Sequence, residues 1–579
     1  HKAIDAGATA FVKIDVPADW ADAAGDAAAP ELEGKPELVK QVREIMEPVG
    51  RMDGDSLPVS AFVGHEDGQF EQGASAFEKR GVAVSVPKWE SSTCIQCNQC
   101  SFVCPHATIR PYALTDEEIA AAPENLVAIP MKGKLKDTYR YTLAISPLDC
   151  MGCGVCIGVC PTDSLSMVGA EGELAEQDVF DYCVEKVADK PEVQDNTVKG
   201  SQFKQPLLEF SGACAGCAET SYARLVTQLF GDRMFVSNAT GCSSIWGGPA
   251  ATSPYTVNKE GRGPAWANSL FEDNAEHGYG MLQGHTAVRQ MVIEQTEQLL
   301  AAGVPEGAAA AAQAWLDARD DSAASKDASA AYAVELEKLA EGEGEAAALA
   351  AKILANKDYL AKKSIWIFGG DGWAYDIGYG GLDHVLASGE DVNVFVFDTE
   401  VYSNTGGQAS KASNIGQVAQ FAAAGKNIAK KSLAEIAMQY GYVYVAQVAM
   451  GAKPAQTLKA IAEAEAYPGP SLIIGYSPCE MHAIKGGMKN CQEEMKKAVD
   501  CGYWNLFRYN PAAPAGKKFT LDCKEPAGGY QEFLMNEARY SRLTREFPER
   551  AAELFERNEE AAIERYNHLV KLKELYAED

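Results

Sequence analysis

The sequence lacks the features of a membrane-spanning or exported protein. No run approaches the roughly 18 consecutive apolar residues that a transmembrane helix requires. The opening stretch, HKAIDAGATAFVKID, shows no basic start followed by an apolar segment, so no signal peptide is predicted. The chain begins with His1 rather than Met, and we therefore expect a processed or partial polypeptide with no membrane partner.

Positive charge is also scarce. The chain has 52 Lys and Arg residues against 81 Asp and Glu residues, and its formal net charge is -29 at pH 7. Nucleic-acid-binding proteins need clustered Lys and Arg, so this balance argues against nucleic acid as a partner. Solubility is the simplest explanation of the acidic surface.

Cysteine, by contrast, is plentiful. The 579 residues include 16 cysteines, and many of them are clustered. In a large chain without an export signal, clustered thiols favour metal sites in a reducing compartment over disulfides. The expected location is therefore the cytoplasm.

Short apolar strands alternate with helical stretches from about residue 189 onward. This alternation is typical of a parallel sheet covered on both faces. The strands are predicted in RMFVSNATG, SIWIFGGDG, VNVFVFDTE, YVYVAQV and SLIIGYSPC, after an earlier one in GVAVSVP at 81–87. The sequence thus predicts a multidomain α/β protein. We expect the end of a preceding domain at 1–48, a linker domain with the sequence EKR at 49–90, a cysteine-rich module at 91–188, and an α/β domain with a helical tail at 189–579.

Two runs of cysteines share one spacing. CIQCNQCSFVCP begins at Cys94 and CMGCGVCIGVCP begins at Cys150, so C-x2-C-x2-C-x3-C-P occurs twice. In such runs three thiolates hold one [4Fe–4S] cube and the fourth binds the other cube. Zinc or unpaired thiols are the alternative, but zinc sites rarely use this spacing. The pattern resembles bacterial ferredoxins and predicts two clusters, one on Cys94, Cys97, Cys100 and Cys160, the other on Cys150, Cys153, Cys156 and Cys104.

A possible metal–diphosphate site follows two of the predicted strands. Gly370-Asp371-Gly372 ends one strand, and DTEVYSNTGG, which starts at Asp398, ends the next. Glycine permits close approach, and carboxylate oxygen suits a hard cation such as Mg2+. GDG alone often marks only a turn. With the second element, it is similar to the thiamine-diphosphate (TPP) motif, which implies Mg2+ on Asp371, Thr399 and the carbonyl of Val401. The paired Asn common in that motif is absent.

Four further cysteines lie at loops of the α/β domain. Their spacing leaves open a third cube, a zinc pair at Cys214 and Cys217, or plain buried thiols at Cys242 and Cys479. The remaining cysteines show no ligand pattern and are interpreted as structural: Cys183, Cys491, Cys501 and Cys523.

Long strings of the sequence resemble the pyruvate:ferredoxin (flavodoxin) oxidoreductases, specifically the C-terminal half of the long single-chain type. The strings include FEKRGVAVSVP, CAGCAET, NATGCSSIWGG, NSLFEDNAEHGYGM and GDGWAYDIGYGGLDHVL, besides the cysteine runs and DTEVYSNTGGQ. The resemblance implies a third cluster on Cys214, Cys217, Cys242 and Cys479. It also implies TPP contacts from Glu219, Cys242, Gly370, Asp371, Gly372, Trp373, Thr399, Val401, Tyr402, Ser403 and Asn404, with Asn404 orienting cofactor or substrate.

The same resemblance implies oxidative decarboxylation of pyruvate with coenzyme A, three [4Fe–4S] clusters, TPP and Mg2+, and electron exit to ferredoxin or flavodoxin. It further implies a homodimer, a missing N-terminal half or companion chain, and that residues 1–48 are the end of a coenzyme-A-contacting domain. Two other readings are the same chemistry on another 2-oxoacid, such as indolepyruvate or 2-oxoglutarate, and an electron-transfer subunit without catalysis of its own.

Overall fold

The computed structural model describes residues 1–22, 31–249 and 252–578, and the chain divides into two compact units, His1–Ala61 and Phe62–Asp579. Taken by itself, the first unit is small and helical where it is described. Its α-helices are α1 Lys2–Gly7, α2 Pro36–Gln41 and α3 Glu47–Gly50, with a π-helical turn at Val42–Met46. None of the described helices of the chain combines the length and apolarity that crossing a bilayer requires.

The second unit begins with the cysteine-rich module, which is built on two small antiparallel sheets. Strand β1 pairs with β5, and β2, β4 and β3 form a three-stranded sheet. The strands are β1 Ser85–Trp89, β2 Ile109–Leu114, β3 Ile129–Pro130, β4 Arg140–Ile145 and β5 Leu165–Gly169. The helices are α4 Gln99–Val103, α5 Asp116–Ala120, α6 Val155–Gly158 and α7 Glu176–Lys186. The first strand starts four residues later than GVAVSVP predicts, because Gly81 has a φ of +58° and Val84 is exposed.

An eight-stranded sheet forms the centre of the second unit. Its order is β15-β14-β12-β13-β9-β8-β6-β7, and the six strands from β12 to β7 are parallel. The strands are β6 Met234–Ala239, β7 Ala265–Ser269, β8 Ser364–Gly370, β9 Asn393–Asp398, β12 Tyr444–Val448, β13 Ser471–Tyr476, β14 Phe507–Tyr509 and β15 Phe519–Leu521, with the small hairpin β10 Val401–Tyr402 and β11 Gln408–Ala409. Every residue of β9 and β13 is buried, as expected for strands covered on both faces. The predicted parallel α/β fold is confirmed.

Helices cover this sheet and extend from it. They are α8 Val198–Ser201, α9 Ala218–Phe230, α10 Cys242–Gly247, α11 Asn274–Ala301, α12 Glu306–Ala318, α13 Ser322–Ala340, α14 Glu345–Leu354, α15 Tyr379–Ala387, α16 Leu433–Met438, α17 Pro454–Ala466, α18 Cys491–Asp500, α19 Tyr530–Asn536, α20 Ala538–Ser541, α21 Leu543–Glu546 and α22 Pro548–Glu578, with a π-helical stretch at Gly372–Ile377. Short 3-10 turns include Glu480–His482 and Met488–Asn490. Helices α11–α14 share a separate apolar core around Trp315 and Tyr332. The C-terminal stretch is helical, as predicted.

The parallel strands place the predicted site residues at one edge of the sheet. Strands β13, β9, β8 and β6 are neighbours, and their carboxyl ends lead into Cys479, Thr399, Asp371 and Cys242. Loops at the carboxyl ends of adjacent parallel strands are where such sheets bind ligands. Topology therefore collects residues that lie far apart in the sequence.

Candidate functional site

The two ferredoxin-like cysteine loops have the same backbone shape. Gln96 and Asn98 in the first loop have φ values of 59° and 60°, and the equivalent Gly152 and Gly154 have 67° and 75°. In each loop the residue two positions on donates its N–H to the first thiol, at 3.4 Å for Gln96 to Cys94 and 3.4 Å for Gly152 to Cys150. Both loops therefore curl around a thiolate in the same way.

The fourth cysteine of each run lies beside the other run. Burial raises the pKa of Cys97, and the charges of Cys94 and Cys160 add to this effect. The charge of Cys160 also raises the pKa of Cys100. Similarly, burial is the main cause that raises the pKa of Cys150 and Cys156, and the charge of Cys104 adds to it. The structure thus brings Cys160 to the first loop and Cys104 to the second.

The four scattered cysteines also lie together. Cys217 immediately precedes α9, Cys242 begins α10 and Cys479 follows β13. Burial and the charge of Glu219 raise the pKa of Cys217, and the nearby thiolates of Cys479 and Cys242 raise it further. The charge of Cys214 in turn raises the pKa of both Cys242 and Cys479. All four line one cavity of about 120 Å3.

Each set of four thiol groups offers the number of ligands that a [4Fe–4S] cube takes. Within the part of the chain that the structure describes, no group of three or more His, Cys, Asp or Glu side chains converges closely enough for one metal ion. A cube binds its thiolates at separate corners, which keeps the sulfurs apart. Burial raises the pKa of Cys153 to about 11 and that of Cys479 to about 12, so thiolates here need the positive charge of iron.

Three oxygen donors converge at the ends of β8 and β9. The Thr399 hydroxyl lies 2.9 Å from Asp371 Oδ1 and 3.0 Å from the carbonyl oxygen of Val401, and Ser410 donates to Asp371 Oδ2 at 2.6 Å. The Thr399 hydroxyl has only one proton, so it can donate a hydrogen bond to only one of these two oxygen atoms at a time. Asp371 is fully buried, and burial together with the charge of Asp398 raises its pKa to about 8. These oxygen atoms are hard donors, and the buried carboxylate of Asp371 would be stabilised by a cation, so the site fits Mg2+.

A buried ionic network fixes the loop that carries Thr399. Lys430 Nζ lies 2.7 Å from Asp398 and 2.9 Å from Glu400, and Arg539 lies 2.7 Å from Glu400. Although burial alone acts the other way, Lys430 and Arg539 hold the pKa of Glu400 at about 2. A ring nitrogen of His482 lies 2.8 Å from the Thr399 carbonyl. Sequence reasoning missed Lys430, Arg539 and His482, since no local motif marks them.

The other predicted residues divide into two groups. Glu219 accepts a hydrogen bond from the Trp246 indole at 3.0 Å, and burial raises its pKa to about 7. It lines the cavity of the four cysteines together with Thr399 and Asn404, and Asn404 is exposed. Ser403 lies 3.4 Å from the Cys242 sulfur.

The predicted residues Gly370, Gly372, Trp373 and Tyr402 do not line this cavity. A Cβ at Gly372 would lie 2.4 Å from the Tyr402 ring, so only glycine admits that ring. Trp373 is 2% exposed and packs against Gly369 and Gly378 in the core.

The fold and the thiol loops define an iron–sulfur protein joined to a TPP-type α/β domain, and comparison with known families agrees. A 4Fe-4S dicluster domain matches residues 93–164, and the C-terminal TPP binding domain of thiamine pyrophosphate enzymes matches residues 340–474. A family described as EKR, a domain of unknown function, matches residues 26–83. The chain therefore contains a dicluster iron–sulfur domain and a TPP-binding domain.

Its relatives are longer proteins. The chain is 51% identical to the pyruvate-flavodoxin oxidoreductase of Klebsiella pneumoniae, over 98% of this chain and 48% of the relative. It is 52% identical to the pyruvate:ferredoxin oxidoreductase of Moorella thermoacetica, over 99% of this chain and 49% of the relative. The chain is 43% identical to the mitochondrial NADP(+) pyruvate dehydrogenase of Euglena gracilis, over 97% of this chain and 31% of the relative.

The chain is thus a homologue of the pyruvate:ferredoxin and pyruvate-flavodoxin oxidoreductases and spans about half of their length. A solved 2-oxoglutarate:ferredoxin oxidoreductase from Magnetococcus marinus matches 47% of this chain and 65% of its own length, with 15% identity and a TM-score of 0.27.

Proposed function

We propose that this chain is the cofactor- and cluster-bearing half of an enzyme that oxidatively decarboxylates pyruvate. Pyruvate and coenzyme A give acetyl-CoA, carbon dioxide and one proton, and two electrons leave singly for two ferredoxin or flavodoxin acceptors. The proposal follows from the relatives, whose names give that substrate and those acceptors. We also propose a cytoplasmic location, which the sixteen free cysteines support.

One observation carries the proposal. The cavity of about 120 Å3 is lined at once by four cysteines and by Glu219, Thr399 and Asn404. A cluster on Cys214, Cys217, Cys242 and Cys479 would therefore lie directly beside the diphosphate site. Such proximity suits a reaction in which electrons leave the cofactor one at a time.

The residues of this chain hold and position the cofactor. Asp371, Thr399 and the Val401 carbonyl would bind Mg2+ and through it the diphosphate, and the network of Lys430 and Arg539 keeps their loop in place. Bound TPP supplies the electron sink for loss of carbon dioxide. Exposed Asn404 is placed to orient cofactor or substrate.

The clusters would form a line from the cavity to the surface. The turn of the third cysteine set packs on Met488, and the loop of Cys150, Cys153 and Cys156 packs on the adjacent Lys489. The charge of Cys100 in turn acts on Cys156. Three cysteines of the Cys94 set come from one loop, and the fourth is Cys160. All four of these residues are partly exposed, whereas Cys104, the fourth cysteine of the other set, is buried. We therefore propose that electrons leave the protein from the Cys94 set.

The exit is flanked by positive charge. A cavity of about 760 Å3 beside Cys94 is lined by Lys132, Lys136 and Arg140, with Asp116 and Asp137 opposing them. In a chain of net charge -29, a locally positive surface next to a cluster favours an acidic electron carrier.

We propose that the active site needs another chain or the other half of a longer one. Ile245, which lines the cavity, is 60% exposed, and Met481, two residues beyond the lining residue Cys479, is 47% exposed. Exposed apolar groups rimmed by polar ones typically mark an interaction surface. The covering part would complete the substrate and coenzyme A sites, and the assembled enzyme would be a homodimer.

The test is an anaerobic visible spectrum of the chain assembled with its missing half. Pyruvate plus coenzyme A should bleach the iron–sulfur band, and 2-oxoglutarate or indolepyruvate should not. Bleaching by dithionite and by 2-oxoglutarate, but not by pyruvate, would show that the substrate is wrong. Bleaching by dithionite alone, with TPP bound and every oxoacid tried, would leave an electron-transfer subunit.

A further inference from the structure

The motif Glu78-Lys79-Arg80 lies shortly before strand β1, in the matched family whose function is unknown. The proposed reaction makes no use of these three side chains. Lys79 has a φ of 41°, a left-handed backbone conformation that is uncommon for a residue other than glycine. Strained residues of this kind persist where the surrounding structure holds them, and they are concentrated at functional sites. The contacts of the motif therefore indicate its role.

Lys79 holds the start of the loop that carries Cys150. Its Nζ lies 2.8 Å from Asp149 Oδ2, and Asp149 is the residue immediately before Cys150. The Asp149 side chain is 2% exposed, so the ion pair is largely shielded from water. Gly81 adds a backbone hydrogen bond from its N–H to the Leu148 carbonyl, at 2.8 Å. The segment thus fixes the chain on the N-terminal side of the first thiol.

Arg80 holds the chain that leads into the third cysteine set. Its Nη1 donates a hydrogen bond to the Ser211 carbonyl at 3.1 Å, three residues before Cys214. A Cβ on Gly212, the next residue, would lie 4.0 Å from Arg80 Nη2. Glu78 accepts a hydrogen bond from the same guanidinium and orients it. Arg80 therefore fixes the turn that begins at Cys214.

The residues that follow the motif cover the loop of Cys150. A Cβ on Gly152 would lie 3.0 Å from the Ser85 carbonyl oxygen and 3.3 Å from the Ala83 Cβ. Ala83 and Val86 are buried in one apolar cluster with Cys150. The loop has no room to shift toward this segment, so its position depends on where the segment is held.

Two consecutive side chains thus reach two cysteine loops that lie far apart in the sequence. The left-handed backbone at Lys79 bends the chain, so that neighbouring side chains point to separate targets. Hydrogen bonds that involve an ionised group, as both of these do, are stronger than neutral ones. One short segment therefore ties the two loops together.

We propose that Glu78-Lys79-Arg80 is a positioning motif that sets the separation of these two cysteine loops. Lys79 fixes the loop that begins at Cys150, and Arg80 fixes the turn that begins at Cys214. Because both anchors lie in one segment, neither loop can move without the other. The inference rests on the proposed function only in taking both loops as cluster sites, and it requires no particular oxoacid.

Hydrogen exchange followed by mass spectrometry of the assembled enzyme tests each anchor. Lys79→Met keeps the apolar stem and removes the charge, so amides in a peptide covering 146–153 should exchange faster by about tenfold or more. Arg80→Met should have the same effect in a peptide covering 210–217. Exchange at 93–100, in the Cys94 loop, should change in neither variant.

Lys88→Met is the matched control, because Lys88 lies on β1 and pairs with Glu173 at the surface, at 2.7 Å. It should leave exchange in both peptides unchanged. Lys79→Arg keeps a positive charge for Asp149 and should behave as the parent does. Exchange in Lys79→Arg as fast as in Lys79→Met would overturn the role of the ion pair.

Electron paramagnetic resonance of the dithionite-reduced enzyme reports on the separation itself. Two reduced clusters split each other's signals by an amount that falls steeply with distance, and the share of the third set is identified by its loss in Cys479→Ser. Arg80→Met and Lys79→Met should alter the splitting between the third set and the Cys150 set. The splitting between the Cys94 and Cys150 sets should stay as in the parent.

A parent-like spectrum and parent-like exchange in both Met variants, with full iron content, overturn the proposal. If a Met variant does not retain its iron, Lys79→Gln and Arg80→Gln take its place, since a glutamine amide keeps one hydrogen bond and loses only the charge. The same changes are expected there, and their absence overturns the proposal. Because dithionite supplies the electrons, a failure of pyruvate as substrate would leave these results unaltered.

Discussion

At the scale of single residues, Thr399 has the most demanding position in the site. Its hydroxyl lies within 3.0 Å of both Asp371 and the Val401 carbonyl, its amide donates to Asp371, and its carbonyl faces His482. Backbone and side chain are both committed, so the residue cannot move without disturbing the oxygen cluster.

Thr399→Val tests this oxygen cluster. The change keeps the shape but removes a proposed metal donor, so Mg2+-dependent binding of TPP should weaken by about 10- to 100-fold or more. Calorimetric titration of the assembled enzyme with TPP at fixed Mg2+ measures the effect. Thr405→Val is the control, since that hydroxyl lies in the same loop but is exposed and bonds Gln408. Equal affinity in Thr399→Val and the parent would remove Thr399 from the proposed metal site.

Glu494 provides a prediction about stability. Burial, with repulsion from Glu537, raises the pKa of Glu494 to about 7. A raised folded pKa means that the folded state keeps its proton between pH 4.5 and 7 while the unfolded state loses it, so stability falls as pH rises through that window. Glu494→Gln should therefore stabilise the protein by about 1–3 kcal/mol at pH 8 and have little effect below pH 4.5.

Thermal midpoints at pH 5 and pH 8 check this expectation. Glu493→Gln is the neighbouring control, since Glu493 is exposed on the same helix and pairs with Lys497. A difference between Glu494→Gln and the parent that is the same at both pH values would show that ionisation of Glu494 is not the cause.

At the scale of elements, the two cysteine runs form loops of the same shape, and the fourth cysteine of each run lies beside the other loop. The first loop needs left-handed Gln96 and Asn98 where the second uses glycines. Helices α4 and α6 begin at equivalent points of the two loops and pack against each other. The exchange follows from that packing, because each run ends beside the start of the other.

Serine variants of the exchanged thiols test the ligand sets. Cys160→Ser should abolish or alter the resonance of the cluster on Cys94, Cys97 and Cys100 and leave that of the Cys150 set, and Cys104→Ser should do the reverse. Cys523→Ser, at a cysteine without a ligand pattern, should leave both signals and the iron content unchanged. If Cys160→Ser instead altered only the Cys150 set, each run would hold its own cube.

The sequence predicted the elements well and the long-range contacts poorly. Buried strands such as β9 and the spaced thiols carry local signals, and the Asp371 and Thr399 elements were recognised by their motif. The antiparallel β14 and β15 are three residues long and carry no clear pattern. Lys430 and Arg539 reach Glu400 from 30 and 139 positions away, and only the folded sheet brings these charges together.

At the scale of the whole molecule, charge is unevenly distributed. The chain is strongly acidic, yet the cavity beside the Cys94 set carries Lys132, Lys136 and Arg140. Lys132 also donates to the Cys94 carbonyl at 2.9 Å, so it supports the loop as well as the surface. Lys136 and Arg140 are both exposed, so their charges can meet an acceptor.

Reversing these two charges tests the exit. Lys136→Glu with Arg140→Glu should slow reduction of an acidic ferredoxin by about tenfold at low salt, and the difference should shrink as salt is raised. Bleaching of the internal clusters by pyruvate and coenzyme A should not change. Lys338→Glu with Lys352→Glu, on helices α13 and α14, should have no effect. Equal slowing in both pairs would mean that net charge, rather than this surface, controls the encounter.

The exchange of Cys104 and Cys160 also has a consequence for biogenesis. While the chain is being synthesised, the first loop emerges with only three of its thiols near one another, and its fourth becomes accessible only after the whole second loop has been made. On the proposed ligand sets, neither of these cubes could be completed before Cys160 is made, and the proposed third cube would wait longer still, for Cys479. The order of cluster assembly would therefore follow the order of synthesis, so a product truncated before Cys479 could not carry all three proposed redox centres.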